Sequence, residues 1–132
     1  MIVIPQHIID EIIAHAHAEW PNEACGLLAG TGNEVVKQFP LTNIDHSPEH
    51  FSFDPKEQFA VLREARAQGW RIIANYHSHP ETPARPSQED IRLAYDPNIF
   101  YVILSLQNRE NPVIKAFSIK EEISTEIEIF RI

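Results

Sequence analysis

Two histidines and one aspartate have the spacing expected of metal ligands. His77 and His79 follow the apolar, β-branched segment 70–74, which predicts a buried strand that continues through His79. Side chains two residues apart on a strand leave from the same face. Asp90 lies farther along, near the predicted start of a helix that can bring its carboxylate over the two rings. Two imidazoles, one carboxylate and one open vertex are typical of a catalytic zinc site.

Each of these residues also has an ordinary structural interpretation. A single histidine at a strand end is usually a partly buried, hydrogen-bonded side chain. Ser87 and Asp90 fit a helix N-terminus, with Ser87 as N-cap and an acidic residue in the first turn. The combination of all these residues in one short stretch favours the metal site. Both interpretations of Ser87 can hold together, because a capping hydroxyl near a metal stays available to a substrate.

A second His-x-His pair, His15 and His17, provides a contrast. These residues lie in a helical pattern, where two steps correspond to a rotation of about 200°. The two rings therefore point in nearly opposite directions. We expect both to be polar surface residues rather than ligands.

Length and composition predict one domain that spans residues 1–132. The chain is 43% hydrophobic and 23% charged, which is ordinary for a globular protein. A single cysteine excludes an internal disulfide framework and a cysteine-rich zinc cluster. The net charge of −8 argues against nucleic acid as the main partner. The sequence shows no signal peptide and no apolar run of membrane-spanning length, so we expect a cytoplasmic protein without membrane contact.

The second of three predicted helices has the clearest start signal. Asp54 is expected to be its N-cap, and Glu57 occupies the third position, as in a capping box. Phe59 and Leu62 are expected to be the large apolar anchors of its buried face. Gly69 is a suitable stop.

The other two helices are predicted after Pro5, with an isoleucine-rich stripe, and after Ser87, ending at 96–98. Apolar segments predict strands at 23–30, 34–41, 50–53, 70–79, 99–106, 112–119 and 123–132. Together they predict an α+β domain with three helices around a curved, mixed and mainly antiparallel sheet.

Glu23, the run His-Ser-His-Pro at 77–80 and the run Ser-Gln-Glu-Asp at 87–90 resemble a known family signature. It is the JAMM (MPN-plus) signature of zinc-dependent deubiquitinase-like peptidases: a Glu, then His-Ser/Thr-His, seven residues, Ser, two residues and Asp. The likeness extends to 21–30, 53–55 and 101–105. It is greatest to the short bacterial and archaeal members, some of which cleave cysteine or proteins from small sulfur-carrier, ubiquitin-like proteins. The resemblance implies an MPN/JAMM fold.

The resemblance also implies a role for each signature residue. His77, His79 and Asp90 would bind Zn²⁺, with water in the fourth position. Glu23 would take the proton of this water and deliver it to the departing amine, and Ser87 would hydrogen-bond the tetrahedral oxyanion. Zinc lowers the pKa of a bound water from about 15.7 to roughly 7. The resulting gain in hydroxide-like water at neutral pH is larger than the factor of about 10²–10⁴ in rate that general acid–base catalysis supplies.

The implied substrate is a small ubiquitin-like or sulfur-carrier protein that ends in Gly-Gly. Its thin tail is expected to lie in a narrow groove beside a sheet edge, by strand addition. The chain is too short to carry the insertions of the eukaryotic isopeptidases, so linkage-selective polyubiquitin cleavage is not expected. The alternative is a non-catalytic scaffold of the same fold in a larger assembly, and a homodimer stays open. A zinc deaminase would need more cysteines.

Other reactive or polar side chains near the signature are assigned structural roles. Cys25 lies in an apolar strand, without the features that activate a nucleophilic thiol, and is expected in the core. Ser78 and Pro80 are expected to shape the strand end. His46 and His50 are either close to the substrate groove or solvated loop residues.

Overall fold

Three helices and one eight-stranded sheet build the protein, and the computed structural model describes all residues, 1–132. The helices are α1 (Gln6–Glu19), α2 (Pro55–Gln68) and α3 (Gln88–Arg92). The strands are β1 (Ile2–Ile4), β2 (Cys25–Thr31), β3 (Glu34–Leu41), β4 (Arg71–His79), β5 (Phe100–Ser105), β6 (Val113–Lys120), β7 (Ile123–Ile127) and β8 (Ile129–Arg131). Their order is β7-β6-β5-β4-β2-β3-β1-β8. Both parallel and antiparallel pairs occur, so the predicted α+β fold with a mixed sheet and three helices is confirmed.

The sheet curves because its two edge strands follow each other directly in the chain. β7 pairs with β6 at one edge, whereas β8 pairs with β1 at the other, and only Glu128 lies between them. The Ile2 N–H donates to the carbonyl of Glu128 at 3.0 Å. The prediction of one uninterrupted strand over 123–132 is therefore wrong. The short β1 gives too little periodic signal to be predicted, and its pairing with β8 decides the break.

One face of the sheet packs against α1. The predicted stripe of this helix is confirmed, since Ile8, Ile9, Ile12 and Ala16 are all buried. These side chains join residues of β2, β4, β5 and β6 in the largest apolar cluster of the protein.

Tyr76 of β4 connects this core to polar groups. Its hydroxyl lies 2.7 Å from His15 Nδ1 and accepts a hydrogen bond from Gln38 Nε2 at 2.8 Å. Gly26 makes room for the tyrosine ring, because a Cβ at that position would collide with it. His15 is thus half-buried, and the expectation that it is a surface residue is wrong, whereas His17 is exposed.

The opposite face of the sheet packs against α2 through small side chains. Val61 and Ala65 are buried there, whereas Phe59 is 63% exposed and Leu62 is 43% exposed. The predicted anchors are therefore wrong. Both pairs have helical spacing. The small pair, Val61 and Ala65, is the buried one because Phe39 and other bulky side chains already fill the space on this face.

The ends of α2 follow the predicted signals in part. The Asp54 side chain accepts a hydrogen bond from the Lys56 N–H at 2.9 Å, and Gly69 ends the helix in the left-handed conformation at φ 77°. Glu57 does not form a capping box. Its carboxylate accepts hydrogen bonds from the backbone N–H and the hydroxyl of Thr42, at 2.7 and 2.8 Å.

Two predicted elements are shorter than expected. α3 ends at Arg92, before the predicted stop at 96–98, and the predicted strand at 50–53 is reduced to one bridge between Asn43 and Phe53. The longest helices have 14 residues, and none has the length and apolar character to cross a membrane.

Candidate metal centre and active site

Three donor atoms meet where β4 ends. His77 Nε2 and His79 Nε2 lie 3.1 Å apart, and each lies 3.1 Å from Asp90 Oδ2. A tetrahedral zinc ion with bonds of about 2.0–2.1 Å would separate its ligand atoms by about 3.3–3.4 Å. The triangle therefore has nearly the size that one small divalent ion requires, and these residues fit such an ion in chemistry and in spacing.

The two histidines are held by a central strand. β4 pairs with β2 on one side and with β5 on the other, so its backbone is restrained along its length. The period of two directs both rings to the face that carries α2 and α3. Both histidines are buried, and the ring of Phe51 stacks on His77 with centroids 4.8 Å apart. Contacts within the protein therefore hold both rings in place.

The tautomer of His79 follows from the contact of Nδ1, the ring nitrogen that is not one of the three donor atoms. Its Nδ1 lies 2.8 Å from the backbone carbonyl of Pro83, and a carbonyl only accepts hydrogen bonds. Nδ1 must therefore carry a proton and donate. In the neutral ring Nε2 is then left with a lone pair directed at the candidate centre, as a metal ligand requires.

Asp90 and Ser87 are joined in a capping box at the start of α3. The Asp90 N–H donates to Ser87 Oγ at 3.0 Å, and the Ser87 N–H donates to Asp90 Oδ2 at 2.9 Å. Burial alone would raise the pKa of Asp90, but hydrogen bonds from His77 and from the Ser87 backbone bring this pKa well below its usual range. The carboxylate is therefore ionised and oriented. Ser87 is exposed at the same place, and its hydroxyl proton is not used by the capping contact.

Glu23 lies beside the end of β4. The Ala24 N–H donates to Ser78 Oγ at 2.8 Å, and the Ser78 N–H donates to the Ala24 carbonyl at 3.0 Å. These contacts extend the β2–β4 ladder beyond the pair Cys25–His77. Continued by one more step, the register sets Glu23 across from His79, with its side chain on the face that carries the histidine rings.

The environment of Glu23 lacks positive charge. The side chain is 3% exposed, and Oε1 has no hydrogen-bond partner. Burial and, to a smaller extent, the negative charges of Asp90, Glu89 and Glu49 together raise the pKa of Glu23 to about 9. A cation at the candidate centre would offset this concentration of carboxylates.

A cavity of about 810 Å³ opens next to the histidines, between α2 and the segment that follows α3. His77 and Asp90 lie in its wall. Its floor comes from β2, β4, β5 and β6, and these strands are all paired on both sides. The cavity therefore borders no free sheet edge, contrary to the groove expected from the sequence. Its size suits a small ligand or a segment of extended chain.

The loop before α2 covers the centre, a role that sequence reasoning missed. The Asn43 side chain, 7% exposed, holds this loop: Nδ2 donates to the carbonyls of Glu23 and His50 at 3.1 and 3.0 Å, and Oδ1 accepts from the Asp45 N–H at 3.0 Å. Phe51 comes from the same loop. An isolated asparagine in a polar segment carries no local signal for this role.

The remaining polar or reactive residues do not join the three donor atoms. His50 Nδ1 lies 3.6 Å from Glu89 Oε1, and both side chains are partly exposed. His46 is exposed. Cys25 is fully buried, and burial raises the pKa of its thiol to about 12, so the expectation that it belongs to the core is confirmed.

Named peptidases are among the known proteins to which this chain is similar. Among curated relatives, the "CysO-cysteine peptidase" of Mycobacterium tuberculosis is 32% identical over 128 residues, covering 96% of this chain and 88% of the relative. The "Probable TtuB-protein conjugate cleaving protease" of Thermus thermophilus is 37% identical over 95 residues, covering 71% of this chain and 64% of the relative.

Two solved structures show the same fold. A protein from Desulfitobacterium hafniense superposes with a TM-score of 0.91 at 48% identity, covering 100% of this chain and 93% of that chain. A JAB1/MPN domain protein from Archaeoglobus fulgidus superposes with a TM-score of 0.69 at 20% identity, covering 99% and 97%. Residues 5–120 match the family model described as prokaryotic homologs of the JAB domain. The resemblance found in the sequence is thereby confirmed, and the chain belongs to this family of prokaryotic JAB-domain proteins.

Proposed function

We propose that this protein is a zinc-dependent peptidase that hydrolyses the amide bond after the C-terminal Gly-Gly of a small ubiquitin-like or sulfur-carrier protein. The observation that carries the proposal is the triangle of donor atoms beside a cavity of about 810 Å³. The names of the M. tuberculosis and T. thermophilus relatives support a conjugate of a small protein as the substrate. Residues 1–132 would form one cytoplasmic metallopeptidase domain, and the single cysteine, which allows no internal disulfide, is compatible with a reducing compartment.

In this proposal His77, His79 and Asp90 hold the zinc ion. When bound, zinc supplies Lewis acidity that makes water nucleophilic at neutral pH. The Pro83 carbonyl keeps His79 in the ligating tautomer, and the Ser87 backbone keeps the Asp90 carboxylate in place. The chain thus supplies a site that needs little rearrangement on binding the ion.

Glu23 would be the group that moves protons. Burial and the charge of Asp90 raise the pKa of Glu23 to about 9, and a cation at the centre would oppose the second of these causes and so lower this pKa. A carboxyl group with a pKa near the working pH can both accept a proton from water and donate one to the leaving amine. Burial also keeps bulk water from competing for that proton.

Ser87 would stabilise the oxyanion. Its Oγ accepts a hydrogen bond from the Asp90 N–H, which leaves the hydroxyl proton free for a substrate oxygen. Because the backbone of Ser87 is fixed by the capping box, the hydroxyl is positioned in advance, as oxyanion stabilisation requires.

The proposal is tested by incubating the purified protein with a CysO–cysteine conjugate and with a TtuB–protein conjugate, with and without a chelator. We expect the masses of the free carrier and of the released group to appear, chelation to abolish them and added zinc to restore them. A folded protein that binds no metal and cleaves neither conjugate would refute the peptidase and favour the non-catalytic scaffold.

A further inference from the structure

Asn75 is a polar residue in the apolar floor of the cavity. It lies on β4 between Leu27 of β2 and Tyr101 of β5, its direct partners in the sheet. The nearby floor residues Ile72 and Ile103 are also apolar. The Oδ1 atom of Asn75 is buried and has no hydrogen-bond partner.

The fold itself gives no reason for an amide at this position. A buried polar group without a partner costs stability, and an apolar side chain of similar size would avoid that cost. The neighbours Leu27 and Ile103 are themselves apolar and buried. A residue that weakens the fold and faces a cavity is a candidate for ligand binding.

The position of Asn75 relative to His77 suits contact with an extended peptide. The two residues are two steps apart on one strand, and their side chains lie on the same face. Strand residues and an extended peptide both advance by about 3.3–3.4 Å per residue. Consider a peptide that follows β4 and whose scissile carbonyl lies beside His77. Its main-chain groups about two residues upstream of that carbonyl then lie close to Asn75.

The floor strands leave such a peptide without a backbone partner. β2, β4, β5 and β6 each use both of their sides within the sheet, so main-chain pairing with them is closed. A side-chain amide can replace it, because it offers both a donor and an acceptor. Rotation of the side-chain amide by half a turn exchanges Oδ1 and Nδ2, so Asn75 can present either the acceptor or the donor to the cavity.

We propose that Asn75 is a substrate-binding residue whose amide hydrogen-bonds the main chain of the substrate's tail, about two residues before the scissile bond. The inference rests on the proposed function and adds a recognition residue outside the signature.

The test compares the wild type with Asn75→Leu and Asn75→Ala. The leucine variant removes the amide and fills its space, whereas the alanine variant removes the amide without adding bulk. Asn111→Leu, at an exposed position on the turn before β6, is the matched control. For each protein we would measure KM and kcat with the CysO–cysteine conjugate, the melting temperature, and by NMR the affinity for an uncleavable hexapeptide that ends in Gly-Gly-amide.

Both Asn75 variants are expected to raise KM and weaken peptide binding by about tenfold, as the loss of one or two hydrogen bonds implies, with kcat nearly unchanged. The leucine variant should melt no lower than the wild type, which a structural role would not predict. Unchanged peptide affinity in both variants, or a wild type that does not bind the peptide, would overturn the assignment. A wild type that binds the peptide through Asn75 but cleaves no conjugate would instead refute only the proposed hydrolysis.

Discussion

Ser78 Oγ accepts a hydrogen bond of 2.8 Å from the backbone N–H of Ala24, at the point where two strands carry the candidate site. The serine lies between His77 and His79, and the alanine follows Glu23. The contact is buried and therefore protected from competition with water. It ties the candidate proton carrier to the strand that bears two candidate ligands.

Replacing Ser78 by alanine should therefore weaken both the fold and the activity. The change leaves the Ala24 N–H buried without a partner, which costs about 1–3 kcal/mol. We expect a lower melting temperature, reduced cleavage and normal metal content. Ser124→Ala, at an exposed position of β7, should alter none of these properties. A Ser78→Ala protein with unchanged stability and activity would show that the contact does not position Glu23.

Two neighbouring carboxylates should differ sharply in their effect on metal binding. Asp90 points at the histidine rings, whereas Glu89 lies near His50 at the surface. The wild type is expected to carry about one zinc per chain. Asp90→Asn should lose most of this metal because the neutral amide is a poor ligand, and Glu89→Gln should keep it. Metal analysis by mass spectrometry checks both, and equal metal content in the two variants would contradict the ligand assignment.

Glu23→Gln should separate catalysis from metal binding. The glutamine has nearly the same shape but cannot transfer a proton, so cleavage should fall by a factor of about 10²–10⁴. The zinc content should stay at the wild-type level because Glu23 is not among the three donor residues. Equal activity of the variant and the wild type would remove Glu23 from the role of proton carrier.

The same variant should reveal the pH dependence of stability in the metal-free protein. The pKa of Glu23 is raised from an ordinary value of 4.5 to about 9, chiefly by burial. The folded state therefore holds a proton that the unfolded state releases, and stability falls as the pH rises through this range. Below a pH of 4.5 Glu23 is protonated in both the folded and the unfolded state and should not lower the free energy of unfolding. The wild type should therefore lose stability relative to Glu23→Gln between about pH 5 and pH 9. The free energy of unfolding of both proteins would be measured by denaturant titration. A difference between them that stays constant across this pH range would argue against the raised pKa.

Ser87 combines two roles that glycine and alanine can separate. Alanine is a poor N-cap and should cost about 1 kcal/mol of stability, whereas glycine costs only a few tenths. Both remove the hydroxyl, so both should reduce kcat by about 10²–10³ if Ser87 stabilises the oxyanion. Thermal unfolding and kcat are the two measurements. Near-normal kcat in Ser87→Gly would leave Ser87 with the capping role alone.

Local spacing in the sequence determined the relative positions of several residues of the candidate site. The period of two on β4 aligns His77 with His79, and the capping pattern joins Ser87 to Asp90, because each relation depends only on residues close in the chain. The same local character made the strands at 34–41 and 112–119 predictable.

Only the tertiary structure decided the relations between distant segments. The register between β2 and β4, continued beyond the pair Cys25–His77, sets Glu23 across from His79. The pairing of β8 with β1 breaks the last strand at Glu128. The buried face of α2 was also decided by its neighbours, since Phe59 and Val61 both begin helical stripes. Such choices depend on which surfaces fit together across the core, and no periodicity within one segment contains that information.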